Sequence, residues 1–372
     1  GQIMPPIMGA AAFLMAEFTG EPYSQIAVRA ILPAVLYFTG IYIAVHLEAK
    51  KLGLQGIPRD QLPKIGNLMK KIYLLFPLVL LVILVSTNTF TMAKSAAIAI
   101  VAAVAVGLLN NVVDMTVKNV DRTDFLTFGK ILDALEGGAR GSITVAVACG
   151  VAGIISGCIT VTGLASKLLS AIVSLSGGHM MIALVLTMIT CIILGMGVPT
   201  TANYVIMATT CAPILTTGMG MSAMAANMFV FYFGIVADIT PPVALAAYAG
   251  SAIAKSSPMR TALNASRLAI AAFLVPYVFA LNPAMLFIDT VWYEVVLIVL
   301  SSFIGMISIS VAMEGYLIHE VNPLGRILCA AGGLALLIPG TLSDLAGLVA
   351  LAIVLAAQII ENKRRKSKAS EG

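Results

Sequence analysis

Long apolar runs separated by short polar stretches dominate the chain, most clearly at residues 72–92, 96–113, 144–163, 180–194, 263–281 and 291–313. Several reach the roughly 18–20 apolar residues that carry a helix across a bilayer. None alternates apolar and polar positions with frequent turns, so helices rather than a β-barrel must satisfy the backbone in lipid. The pattern predicts an all-α polytopic membrane protein. Three runs are interrupted: IMPPIMGAAAF at 3–13 and ITPPVALAAYA at 239–249 each set two prolines inside an apolar segment, and GMGVPTT at 195–201 breaks the run 180–215.

Basic residues supply an orientation. Lys50, Lys51, Arg59, Lys64, Lys70 and Lys71 gather within 48–71, and Lys363, Arg364, Arg365, Lys366 and Lys368 form a basic tail over 361–372. The positive-inside rule puts both in the cytoplasm. Residues 26–113 then read as transmembrane helices around that first loop, with 72–92 going outward and 96–113 returning. The segment 114–141 is left on the inner side, where FLTFGKILDALEGGA has the spacing of a helix lying along the membrane surface. Next, 144–163 crosses outward, 180–215 forms a hairpin that enters and leaves on the outer side, and 223–254 crosses inward, broken at ADITPP. Residues 286–360 read as additional C-terminal helices. Within them, 327–360 must cross an even number of times, with Pro339 and Gly340 as a turning point between two short segments.

This path gives the two double-proline motifs opposite directions. Their likeness also continues downstream, since Pro22 is followed by Arg29 and Pro258 by Arg267 with two residues inserted. Similar sequence in reversed orientation marks an inverted-topology repeat, here 142–285 against an earlier half of which 1–25 is the second part of a broken helix. Because residue 1 is Gly inside such a motif, the chain reads as the C-terminal part of a longer polypeptide.

Proline in a helix interior removes a hydrogen bond and clashes with the preceding turn. Single prolines at 33, 77 and 276 need only kink a helix, whereas Pro241 and Pro242 beside Asp238 and Thr240 unwind more than a turn. GMGVPTT does the same with Gly195 and Gly197, and Thr200 and Thr201 add hydroxyl oxygens. Freed carbonyls and hydroxyls form a hard-oxygen environment suited to Na⁺, and half-helix N-termini face an anion. Asp238 is the strongest ionisable candidate, with capping of a broken helix as its structural alternative. Asn203, Tyr204 and Asn227 either line the same cavity or join helices. Lys94, Asn110, Asn111 and Asp114 lie near helix ends, where snorkelling or capping explains them. Arg29 and Arg267 face lipid headgroups, another subunit or a substrate carboxylate.

Composition agrees with the pattern. The chain is 60% hydrophobic and 10% charged, with a mean hydropathy of +1.01, far below the roughly one-quarter charged residues of soluble domains. Its net charge of +5 sits largely in short loops and the tail, which bears on topology and not on nucleic acid. Cys149, Cys158, Cys191, Cys211 and Cys329 lie in apolar segments without metal-ligand spacing and read as buried thiols. His46, His179 and His319 form no metal constellation. An enzyme would need a nucleophile–base pair or an Asp-rich metal motif, neither of which is evident, and a channel would need a repeated pore loop.

GQIMPPIMGAAAF, GMGVPTTANYVIMATTCAPIL and ADITPPVALAAYAGSAIA resemble the large membrane subunit of tripartite ATP-independent periplasmic (TRAP) transporters. The likeness covers residues 1 to about 285, closest to fused permeases that work with a TAXI-type periplasmic binding protein. It implies an elevator-type secondary transporter, driven by an ion gradient that is usually Na⁺ and sometimes protons. The implied cargo is a small organic anion such as a carboxylate, handed over by the binding protein. It further implies small-subunit helices fused upstream and no organic cofactor. By the resemblance, GMGVPTT is the tip of the second hairpin and ADITPPV the unwound segment facing it. Gly195, Gly197, Thr200, Thr201, Asp238 and Thr240 would form the second ion site, and Gly1, Gln2, Pro5 and Pro6 belong to the matching segment of the first.

Overall fold

The computed structural model describes residues 2–4, 8, 10–58, 66, 69, 71–87, 90–115 and 125–370. Gly1, Pro5 and Pro6 of the first motif, and Arg59, Lys64 and Lys70 of the basic loop, lie outside them. The described chain is helical, and the one β pairing among its residues is an isolated bridge between Tyr316 and Glu320.

In order the helices are α1 (Ala10–Thr19), α2 (Tyr23–Lys51), α3 (Phe76–Ser86), α4 (Met92–Met115), α5 (Phe128–Thr162), α6 (Leu164–Ser176), α7 (Met180–Gly195), α8 (Thr200–Thr210), α9 (Ala212–Met219), α10 (Ala223–Val236), α11 (Leu245–Ala254), α12 (Pro258–Leu268), α13 (Ile270–Leu281), α14 (Trp292–Glu314), α15 (Pro323–Leu337) and α16 (Thr341–Ser370). Among the described residues five stretches are long and apolar enough to cross a membrane: Tyr23–Lys51, Ala93–Val113, Pro258–Leu281, Trp292–Glu314 and Thr341–Lys363.

Local chemistry sets many of the boundaries. The Ser222 hydroxyl accepts from the Ala225 N–H at 3.3 Å to start α10, and Asn322 accepts from the Gly325 N–H at 2.7 Å to start α15 ahead of Pro323. Pro33 and Pro276 sit inside α2 and α13 without ending them, while Pro77 falls in the first turn of α3, where a missing N–H costs nothing. Two helices run across segment limits read from the sequence. The surface segment expected to end at residue 141 is instead continuous with the run after it in the 35-residue α5. Gly137, Gly138 and Gly141 weaken that helix by about 1 kcal/mol each but carry no steric block, so they do not end it. The tail expected after residue 360 is helical as far as Ser370, as part of α16.

The chain divides into two compact units, one of residues 1–21, 26–55 and 151–372 and the other of residues 22–25 and 56–150. In the smaller unit α3 packs on α4. There the Tyr73 hydroxyl donates to Asn110 Oδ1 at 2.7 Å, and the Asn111 carboxamide grips both backbone groups of Leu126 at 2.8 and 2.9 Å. Lys94 lies 4.4 Å over the Phe90 ring.

The larger unit is built around α10, which is buried on nearly every side, as an apolar helix without a polar face must be. Phe229, Phe231, Tyr232 and Phe233 lie within it, and α7, α8 and α13 surround it. Farther along, α14, α15 and α16 meet through glycines, the close-approach mode available where lipid supplies no hydrophobic drive between helices. A Cβ on Gly347 would stand 2.5 Å from the Gly332 carbonyl oxygen, and one on Gly333 2.9 Å from that of Gly305. Backbone cannot yield as a side chain can, so Gly347→Ala is expected to cost about 1–3 kcal/mol. A lowered thermal midpoint of the purified protein is the check, and an unchanged midpoint would refute this packing.

Candidate ion and substrate site

Two helix breaks face each other in the larger unit. α7 stops at Gly195, the chain runs through Met196, Gly197, Val198 and Pro199, and α8 resumes at Thr200. Gly197 takes φ +74°, a left-handed value that favours glycine, and this lets the tip fold back. Opposite, α10 ends at Val236, a single 3₁₀ turn carries Ala237–Ile239, and extended Thr240 followed by a turn through Pro241, Pro242 and Val243 leads to α11. The Pro241–Pro242 peptide is cis, and Ala244 is left-handed with φ 37°, a conformation costing a non-glycine residue roughly 1–2 kcal/mol.

The breaks touch at two glycines. A Cβ on Gly195 would lie 2.9 Å from Asn203 Nδ2 and 3.1 Å from Ala237 Cβ, and one on Gly197 would lie 3.8 Å from Val243. The Asn203 carboxamide fills the gap between α7 and α10, its Nδ2 donating to the Gly234 carbonyl at 2.8 Å. Its Oδ1 is buried and has no hydrogen-bond partner among the described residues. That orphaned acceptor is what a hard cation would seek, because a buried oxygen without a donor costs about 1–3 kcal/mol. The first motif reaches the same place, since Thr200 donates through Oγ1 to Gln2 Oε1 at 2.9 Å. α1 also packs on α8 and α10, with Phe18 edge-on to Tyr204.

Not every candidate points into this space. Tyr204 and Asn227 satisfy one another, the phenol donating to Asn227 Oδ1 at 2.8 Å while Asn227 Nδ2 donates to the Ala223 carbonyl at 2.9 Å. Both are buried, so they tie α8 to α10. Thr240 donates through Oγ1 to the Val236 carbonyl at 2.7 Å, closing the end of α10. Thr201 and Asp238 are half-buried beside the breaks.

The unwound carbonyls are less free than the prolines suggest. Ser266 Oγ on α12 donates to the Ile239 carbonyl at 2.8 Å, and the Tyr248 hydroxyl on α11 donates to that of Pro242. The Ala244 N–H reaches the Thr240 carbonyl at 3.2 Å. Sequence reasoning passed over Ser266 and Tyr248, although Tyr248 lies inside the repeated motif; serine and tyrosine in an apolar helix near a break are the signal for such clamps.

Arg29 and Arg267 are both engaged in ion pairs. Arg29 pairs with Glu21, and Arg267 Nη2 lies 2.9 Å from Glu48 Oε1 and 3.0 Å from Glu314 Oε2. Glu48 and Glu314 escaped notice because each sits at the end of an apolar run, where charge is ordinary.

A helical chain with several apolar spans and facing helix breaks is a polytopic membrane protein. The family model described as tripartite ATP-independent periplasmic transporter, DctM component, matches residues 1–294, and the chain belongs to that family. It is therefore a multi-pass inner-membrane permease component of a TRAP transporter. Such systems also use a periplasmic substrate-binding protein and a small membrane component. No curated protein and no solved structure matches the chain.

Proposed function

We propose that this permease is an ion-coupled secondary transporter importing a small organic anion such as a carboxylate, with Na⁺ as the coupling ion. The observation that carries the reading is the meeting of the hairpin tip at Gly195–Thr200 with the break at Asp238–Ala244, beside the unpartnered Asn203 oxygen. Gly195, Gly197, Thr200, Thr201, Asp238 and Thr240 form the second ion site on this reading, and Gln2 of the first motif reaches its edge through Thr200. A break held by Ser266, Tyr248 and Thr240 is rigid, as a moving body in an elevator mechanism needs to be. A TAXI-type binding protein delivers the anion, the small-subunit helices are fused upstream, and the C-terminus faces the cytoplasm, as Lys363 and its basic neighbours favour.

The test is thermal stability of the purified full-length polypeptide in Na⁺ against K⁺ at matched ionic strength. Na⁺ at one hundred times its Kd should add about 2.7 kcal/mol of stability, and Thr201→Ala should remove most of the gain. A carboxylate at Asp238 beside the break favours a second reading, coupling to protons. An absent Na⁺ preference, with a pH dependence of transport abolished by Asp238→Asn, would select it.

A further inference from the structure

Helical threonines in this chain commonly bond to their own helix. Thr19, Thr190 and Thr216 each donate through Oγ1 to the carbonyl four residues back, the usual habit of the residue. Thr240 does the same at the second break, where Ser266 and Tyr248 also spend their hydrogens on carbonyls. Thr200, the first residue of α8, departs from that habit. Its Oγ1 donates to Gln2 Oε1, 198 positions away in the chain, at 2.9 Å.

The acceptor comes from a segment seated on the same helices. Ile3, next to Gln2, is 2% exposed. Beyond the motif α1 packs on α8 and α10, with the Phe18 ring edge-on to Tyr204 at a centroid distance of 6.0 Å. Tyr204 is in turn bonded to Asn227 of α10. The first motif and the hairpin tip are therefore held in one register, and the bond from Thr200 to Gln2 joins them directly.

A hydroxyl oxygen binds a cation through its lone pairs, so its hydrogen has to point elsewhere. A partner outside the ligand set fixes that orientation, as hydrogen-bond partners of metal ligands do. A hydrogen given to the carbonyl of Met196 or Gly197, four or three residues back, would turn the hydroxyl too, but it would use up an oxygen of the tip. Gln2 Oε1 turns it without that loss.

We propose that Gln2 is a positioning residue of the second ion site, taking the Thr200 hydroxyl hydrogen so that Oγ1 presents its lone pairs to the coupling cation. This rests on the reading of the hairpin tip as a Na⁺ site and adds a dependence of that site on the first motif. A shift of the first motif that withdraws Gln2 lets the Thr200 hydroxyl turn and weakens the ion, so the two breaks are energetically coupled.

The test is the Na⁺ concentration that gives half of the thermal stabilisation of the purified full-length polypeptide. Gln2→Met keeps the length of the side chain but replaces the amide oxygen by a poor acceptor. It should raise that concentration about 10–100-fold. Gln2→Glu keeps an oxygen that accepts, and its Na⁺ affinity should be at least that of the parent. Because Gln2 is exposed, both variants should melt with the parent in K⁺. Parent-like Na⁺ affinity in Gln2→Met would overturn the proposal and leave the Na⁺ site standing. Equal losses in Gln2→Met and Gln2→Glu would overturn it as well, since the acceptor would not be what matters. A lowered K⁺ midpoint in Gln2→Met would make Gln2 a packing residue and likewise reject it. A parent that gains nothing from Na⁺ would reject the Na⁺ reading itself, and this role with it.

Discussion

Arg267→Ala is expected to destabilise the protein by about 3 kcal/mol, more than any other single charge removal. The alanine strands the Glu314 carboxylate, fully buried, without its ion-pair partner, and leaves only Lys51, bonded to the Glu314 main-chain carbonyl, as a nearby cation. Breaking a pair of this kind is costly because the surviving charge stays desolvated, whatever the pair itself was worth. Arg267→Lys should fall between the two, since an ammonium cannot present a planar fork to two carboxylates. Arg29→Ala is the matched control at the corresponding place in the other motif. Its partner Glu21 is 29% exposed against 0% for Glu314, so water can take over there and the loss should stay near 1 kcal/mol. Thermal midpoints of the three variants check this, and adding Glu314→Gln to Arg267→Ala should recover most of the deficit. Equal effects of Arg29→Ala and Arg267→Ala would show that burial of Glu314 is not what matters.

Gly195→Ala is expected to remove the Na⁺-dependent gain in stability while lowering basal stability by only about 1–3 kcal/mol. The new methyl group would meet Asn203 Nδ2 at 2.9 Å and Ala237 Cβ at 3.1 Å. Asn203 cannot swing aside without losing its bond to the Gly234 carbonyl, and an added Cβ at Gly234 would itself lie 3.1 Å from the same Nδ2. The hairpin tip must then separate from the Asp238 break by a few tenths of an ångström. A hard-oxygen site tolerates such a shift poorly, because each ligand distance is set by the ion. Parallel melts in Na⁺ and K⁺ separate the two effects. A variant with parent-like Na⁺ stabilisation would mean that the ion sits away from this contact.

The helix breaks were legible in the residues that make them. Proline and glycine act on their own backbone, so GMGVPTT and ADITPP announced interruptions that the fold has at Met196–Pro199 and Ile239–Val243. The turn between α15 and α16 at Ile338–Gly340 was readable in the same way. Continuity was harder to read. Three glycines and an arginine between 137 and 141 looked like a boundary, yet nothing there forbids helix, and α5 runs through.

The roles of polar side chains were not legible. Asn203, Tyr204 and Asn227 are chemically equal candidates on paper, but of the three only Asn203 has an oxygen without a donor among the described residues. Whether a freed carbonyl awaits an ion or already has a donor depends on Ser266 and Tyr248, and on where α12 and α11 fall. By itself, then, the sequence determined that this is a helical membrane protein and where its helices break, because hydropathy and backbone stereochemistry are local. Only the tertiary structure decided which breaks face each other, which oxygens stay unpaired, and that Arg267 holds Glu48 and Glu314 together. Those outcomes join residues far apart in the chain, and burial and distance exist only after packing.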